Sequence, residues 1–260
     1  MLLATGVANA GSVNIDGIQG ITGSLSYQND DSVQSIQASQ LTTTGDLSFG
    51  GLTQLSRLSL TALNQVGALN FSGLSTLQQL DFTAGITKAA SVLITNTELN
   101  NLKGIDGLKQ VQSFDVNNNP YLAQIALSVA SIKGSLNIGA NDVQGSGLSV
   151  SFPNLATAGQ MTFRNTSSID IPSLANVSQN LGFYGNNIKS LSAPNLTFAG
   201  GIVFVGNAAL TSISMPLLTT INGTNGTYQI ANNTLLKSID GFEALSNVNG
   251  NLDFSGNFTR

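Results

Sequence analysis

Apolar-x-apolar pairs recur along the chain at a nearly constant interval, most often followed by Gly or Asn. They occur in "GSLSYQN", "GDLSFGG", "GALNFSG", "SVLITN", "SFDVNNN", "GSLNIGAN", "QMTFRNT", "NLGFYGN", "GIVFVGN", "TYQIANN" and "NLDFSGN". The first apolar positions are Leu25, Leu47, Leu69, Val92, Phe114, Leu136, Met161, Leu181, Ile202, Tyr228 and Leu252, with spacings from 20 to 26 residues that centre on 22. Val13 and Ile15 read as a partial earlier rung.

A second apolar-x-apolar pair follows about ten residues later in most periods. Examples are Ile36/Ala38, Leu58/Leu60, Leu80/Phe82, Ile125/Leu127, Val150/Phe152, Ile169/Ile171, Leu191/Ala193 and Ile213/Met215. Four of these run into Pro, as "SFPNL", "DIPSL", "SAPNL" and "SMPLL". Proline has no N–H to give a strand ladder, so it marks the place where a strand ends and the chain turns. A third apolar site, at Leu155, Leu174, Leu196, Leu218 and Leu245, precedes the next rung.

Period-2 segments with Gly, Asn and Pro at the corners, and no helix-period stretch, predict short strands stacked rung on rung. The period is too short for a paired-helix repeat. The expected fold is mainly β: a right-handed, leucine-rich-repeat-like or receptor L-domain-like β-solenoid of about eleven rungs with few or no helices. At strand spacing, such a rod is on the order of 50 Å long. Residues 1–12 read as a poorly defined N-terminal segment and 13–260 as one continuous solenoid, truncated at both ends. The start "MLLATGVANA" lacks a positive n-region and reads as interior sequence rather than a signal peptide.

Asn recurs three residues after the second apolar residue, at Asn119, Asn141, Asn186, Asn207, Asn233 and Asn257. Its side chain bonds nearby backbone and tolerates a left-handed corner, which predicts a structural Asn ladder rather than a ligand site.

Composition narrows the functional classes. Charged residues are only 8% of the chain against 41% hydrophobic, so the surface is built from neutral polar groups. The net charge is −4, from 9 basic and 13 acidic residues with no basic run, which argues against nucleic-acid binding. There is no Cys and no His, which removes thiolate metal sites, disulfides and Ser-His-Asp catalysis. No cofactor is expected.

A polysaccharide hydrolase would need two carboxyl groups about 5 to 9.5 Å apart. The outward middle position of the first strand carries Asp only at Asp115 and Asp253, six rungs apart or roughly 29 Å. On the second strand, Asp81 and Asp170 stand four rungs apart, roughly 19 Å. Neither pair can act together, so the chain is read as a non-enzyme.

Eight Asn-x-Ser/Thr sequons stand at Asn70, Asn165, Asn176, Asn195, Asn222, Asn225, Asn232 and Asn257. With 29 Asn in the chain, chance alone supplies roughly six. Asn222 and Asn225 lie in the longest connection between rungs and are the strongest candidates for N-glycosylation.

The order of the motifs carries a resemblance. "VSFPNLATAGQMTFRNTSSIDIPSLANVSQNLGFYGN", "SAPNLTFAGGIVFVGNAALTSISMPLLTTI", "QIANNTLLKSIDGF" and "LDFSGNFT", with "GITKAASVLITNTELNNLKGIDGL" and "FDVNNNPYL" before them, resemble the fungal GPI-anchored cell-wall organisation proteins. That family is related to the sporulation-specific cell-wall proteins. The resemblance runs from about Gly11 to Arg260. It implies a receptor L-domain-like solenoid, heavy glycosylation, and tethering at the outer face of the plasma membrane or in the wall. It also implies a role in wall integrity without enzymatic activity.

Family members also carry a secretory signal, a Cys-containing N-terminal segment, a Ser/Thr-rich stalk and an anchor signal, none of which stands in this chain. The expectation is therefore of a fragment whose cap, stalk and anchor lie beyond Arg260, with any membrane association made through that lipid anchor. Cell-wall glucan, chitin or wall proteins are the expected partners. The alternative is an extracellular ligand-binding solenoid that recognises wall polysaccharide or a protein. Such a module would want an aromatic platform; the sequence has no Trp and four Tyr, of which Tyr184 is the residue to test.

Overall fold

The computed structural model describes residues 2–5, 11–141, 147–223 and 227–259, with side chains from residue 11 onward. Among these residues there is no helix. About 46% of the chain is strand, wound into a β-solenoid of about eleven turns. Each turn has three sides. The strands on the first side join a 15-stranded sheet in which every pair is parallel, from Leu25–Gln28 through Asn251–Ser255.

The column of first apolar residues is in register throughout: Leu25 pairs with Leu47, Leu47 with Leu69, Leu69 with Val92, and so on to Tyr228 with Leu252. Spacings that vary by several residues do not disturb it, because the extra residues are taken up in the connections. Leu2–Thr5 pairs with Leu25–Gln28 and is the first of the fifteen strands. Val13 and Ile15 are not an earlier first-side strand. Val13 pairs with Ile36, which places Ser12–Asn14 on the second side of the turn that begins at Leu2–Thr5.

The inward residues of successive turns stack directly on one another. Phe163, Phe183 and Phe204 are fully buried, and their rings stack at 5.5 and 4.6 Å between centroids. Phe49 and Phe71 repeat this arrangement at 5.7 Å. A parallel stack of identical positions brings like side chains together at every strand spacing, so aromatic columns follow from the repeat itself. On the last strand, Leu252 is 61% and Phe254 40% exposed, because among the described residues no strand lies against its outer edge.

Turns close the corners. All five prolines occupy the second position of a four-residue turn. Leu155 N–H donates to Phe152 O across Pro153, and Leu122 N–H to Asn119 O across Pro120. Pro172, Pro194 and Pro216 lie under the corresponding bonds from Leu174, Leu196 and Leu218. Proline's fixed φ suits that position, and the residue that closes the turn delivers the third apolar site to the core.

At the remaining corner, glycines of successive turns face each other. A Cβ on Gly67 would lie 2.5 Å from Gly45 O, and one on Gly223 2.6 Å from Gly200 O. Backbones approach there more closely than any other residue permits.

The corner after the first-side strand differs from the expectation. In the turns that carry a ladder asparagine the left-handed residue is the one before it: Asn118, Ala140, Gly185, Gly206 and Asn232. The ladder asparagines themselves are not at positive φ. Their side chains are selected by hydrogen bonding across turns, and the αL conformation falls to the residue in front.

Candidate functional site

The ladder is the most ordered polar feature of the molecule. Asn119, Asn141, Asn186, Asn207 and Asn233 are all buried. Asn186 donates its backbone N–H (3.0 Å) and its Nδ2 (2.9 Å) to the Oδ1 of Asn207. Asn207 does the same to Asn233 at 2.9 and 3.0 Å. Each amide also reaches back to an inward residue's carbonyl, Asn186 to Phe163 O, Asn207 to Phe183 O and Asn233 to Phe204 O. Thr97 and Thr166 hold the same column and donate to Asn119 and Asn186. These side chains are engaged on both sides and leave no group free for a ligand; Asn257, on the last turn, is exposed.

The carboxylates stand in separate places. The column that starts at Asp115 runs through Asn137, Thr162, Gly182, Val203 and Gln229 to Asp253, six pairings in all. Asp115 is half-buried and accepts bonds from Asn117 and Asn137. Burial, partly offset by the Asn137 bond, pushes its carboxyl above the usual carboxylate range. Asp170 accepts from Ser151 on the second side.

Asp81 has a neighbour that sequence reasoning missed. On the second side the run of strands breaks: Arg57–Ser59 is followed by a single bridge from Ser59 to Asp81, and residues 103–107 then form turns in place of a strand. The break opens a cleft of about 680 Å³ over Leu80 and Phe82, into which Arg57, Asp81, Lys103 and Asp106 project. Both carboxylates are held by local bonds. Asp81 accepts from Ser59 Oγ (2.6 Å) and Thr83 Oγ1 (2.9 Å), and Asp106 from Gly104 N–H (3.0 Å). The signal was present in "NNLKGIDGL", which lacks the alternation its neighbours have at that place.

Tyr184 lies on the outward face of the first-side sheet. Its ring sits against Gly182, where a Cβ would meet Tyr184 Cε2 at 2.5 Å, and the Arg164 guanidinium rests 4.9 Å from the ring centroid. One face of the ring is therefore already taken by a cation. Thr162 and Val203 flank Gly182 and are buried although they point outward.

Of the sequon asparagines, Asn165, Asn176, Asn195, Asn222, Asn232 and Asn257 are exposed and Asn70 is half-buried on the sheet face. Asn165 and Asn232 occupy left-handed corners. Asn195 donates Nδ2 to Pro172 O, and Asn222 accepts from Asn249. Asn225 lies outside the described residues. Among the described residues no cluster of three or more metal-binding side chains occurs, and no helix is long and apolar enough to cross a membrane.

A parallel solenoid with a 22-residue rung, a leucine-lined core and an asparagine ladder is a leucine-rich-repeat protein. The family model for BspA-type leucine-rich repeat regions matches residues 11–135 and 144–255, and the chain belongs to that family. Its sequence is similar to fungal proteins of the cell surface. It is 48% identical over 174 residues to a "Cell surface GPI-anchored protein" of Arthroderma benhamiae, a stretch covering 66% of this chain and 43% of that protein. It is 45% identical over 140 residues to "Protein ecm33" of Aspergillus fumigatus, covering 54% and 34% respectively. With "Sporulation-specific protein 2" of Saccharomyces cerevisiae it shares 30% identity over 176 residues, covering 67% and 34%. The matched region thus spans less than half the length of these relatives, none of which bears a catalytic name. No solved structure matches the chain.

Proposed function

We propose that this solenoid belongs to a non-catalytic glycoprotein of the fungal cell surface that contributes to cell-wall organisation and integrity. The observation that carries the reading is the 48% identity to a cell-surface GPI-anchored protein across the solenoid turns. The chemistry is in keeping with it. The chain has no His or Cys, the ladder asparagines are bonded to one another, and the carboxylates of the cleft are held by local hydrogen bonds. A rigid, weakly charged rod with carbohydrate on its corners can space and organise wall components without transforming them. Glycans at the exposed sequons and attachment through a lipid anchor are part of the proposal, as are wall glucan, chitin or wall proteins as partners.

The test is to express the full-length gene with an epitope tag in a filamentous fungus, fractionate the wall, and delete the gene. The expected result is a glycosylated, wall- or membrane-associated product and a deletion strain hypersensitive to wall-perturbing dyes. An unglycosylated cytosolic product would overturn the reading.

The cleft at Arg57, Lys103, Asp81 and Asp106 favours a second reading, in which the solenoid is an extracellular ligand-binding module. Its volume of about 680 Å³ falls within the range of small-ligand sites. Pulldown on purified wall polysaccharides, with and without Arg57→Ala and Tyr184→Ala, separates the two: saturable binding lost in a variant supports the module.

A further inference from the structure

Three of the nine basic residues of this chain converge on one groove. Lys88, Lys109 and Lys133 belong to three consecutive turns and line a depression of about 360 Å³ on the third side of the solenoid. The backbone register brings them together. Lys88 bridges to Gln110, Lys109 N–H donates to Thr87 O, and Lys133 follows Ile132, the partner of Val111. The floor is the buried pair Ala89 and Val111, and the polar walls are Thr87, Gln110 and Gln112.

Among the described residues no Asp or Glu lines the groove, and none of the three lysines forms an ion pair or a side-chain hydrogen bond. This is unusual in a chain whose acidic residues outnumber its basic ones. Like charges gathered without counter-charges repel weakly in water, and an anion placed among them would turn that repulsion into attraction. By contrast, Arg57 and Lys103 share their cleft with two aspartates.

We propose that this groove binds an anionic saccharide, a sugar unit bearing a phosphate group, with the lysines on the anion. The small apolar floor suits the C–H face of a sugar ring, and the Thr and Gln walls offer both donors and acceptors to its hydroxyls. A bare membrane surface would be met by a convex or flat basic patch; a recess of this size, walled by amides, fits a single charged sugar. None of the sequon asparagines among the described residues lines the groove. Asn176, the sequon on the same backbone column, stands two pairings beyond Ser131 in the turn of Lys133, roughly 10 Å from the near edge of the groove. Asn70 is on the first side of its turn. The proposal does not depend on the role in wall organisation, because it concerns binding by the isolated chain.

The experiment is titration calorimetry of the 260-residue chain with a mannose-6-phosphate-terminated oligosaccharide, the same oligosaccharide after phosphatase treatment, and phosphatidylserine/phosphatidylcholine vesicles. Binding is expected for the phosphorylated sugar alone, weakening as salt rises. The triple variant Lys88→Gln/Lys109→Gln/Lys133→Gln should bind at least about tenfold more weakly. The control Lys189→Gln/Lys237→Gln, at two exposed lysines away from both the groove and the cleft, should bind as the parent does. All five side chains are exposed, so unchanged thermal melts are expected to show that each variant is folded. Equal binding of the dephosphorylated sugar, binding of vesicles in its place, undiminished binding by the triple variant, or no binding at all would overturn the proposal.

Discussion

Asn207 directs two donors, its backbone N–H and its side-chain Nδ2, at the single Oδ1 of Asn233, at 2.9 and 3.0 Å. The same amide accepts two such bonds from Asn186 and donates to Phe183 O. Replacing it strands groups on both neighbouring turns. Asn207→Ala should lower stability by about 2–4 kcal/mol, since unpaired buried polar groups cost about 1–3 kcal/mol each. Urea unfolding measures it, and a loss below about 0.5 kcal/mol would show the ladder to be incidental.

Phe183 stacks between Phe163 and Phe204. Truncation to Ala leaves a cavity that the rigid turns on either side cannot close. The expected loss is about 3–5 kcal/mol, read from the same denaturation curves.

Gly67 has no room for a side chain, as its Cβ would lie 2.5 Å from Gly45 O. The obstacle is backbone, which cannot swing aside. Gly67→Ala should destabilise by about 1–3 kcal/mol or more, the scale of an overpacked core site. Gly11→Ala meets nothing within 4 Å and serves as the neutral control.

Asp115 gives a pH test with a defined sign. Its carboxyl is held above the ordinary value of 3.8 by burial, so the unfolded chain ionises it at lower pH than the folded chain. The folded state therefore loses stability as pH rises from the unfolded pKa through the folded pKa, and the loss is complete above it. Asp115→Asn should melt higher than the parent at about pH 7, and this advantage should vanish near pH 3. A variant that is less stable at neutral pH would show that the bonds from Asn117 and Asn137 outweigh the burial.

Glycan mapping by mass spectrometry of the secreted protein should find Asn165, Asn176, Asn195, Asn222, Asn232 and Asn257 modified more fully than Asn70. The six are exposed, whereas Asn70 is half-buried between Ser48 and Leu93 in the sheet. High occupancy at Asn70 with low occupancy at the corners would contradict the exposure argument.

Much of this molecule was legible in its sequence. Period-2 alternation is a local property, so it identifies which residues point inward, and the 22-residue interval places Leu25, Leu47 and Leu69 in one column. Asn119 through Asn233 were found the same way, because a ladder requires the same residue at the same step of each repeat. Other features depend on which backbones come to lie side by side. Asp106 reaches the cleft of Asp81 only because residues 103–107 turn where a strand was due, and Lys88, Lys109 and Lys133 meet although they stand at different steps of their repeats. The left-handed residue sits one position before the ladder column even where that column holds Asp30, Leu52, Leu74, Thr97 or Thr166, so it belongs to the reversal of the chain and not to the asparagine. Inside and outside are written in each short segment by hydrophobic pattern, whereas the neighbours of a surface residue are fixed by register between turns, which only the stacked structure supplies.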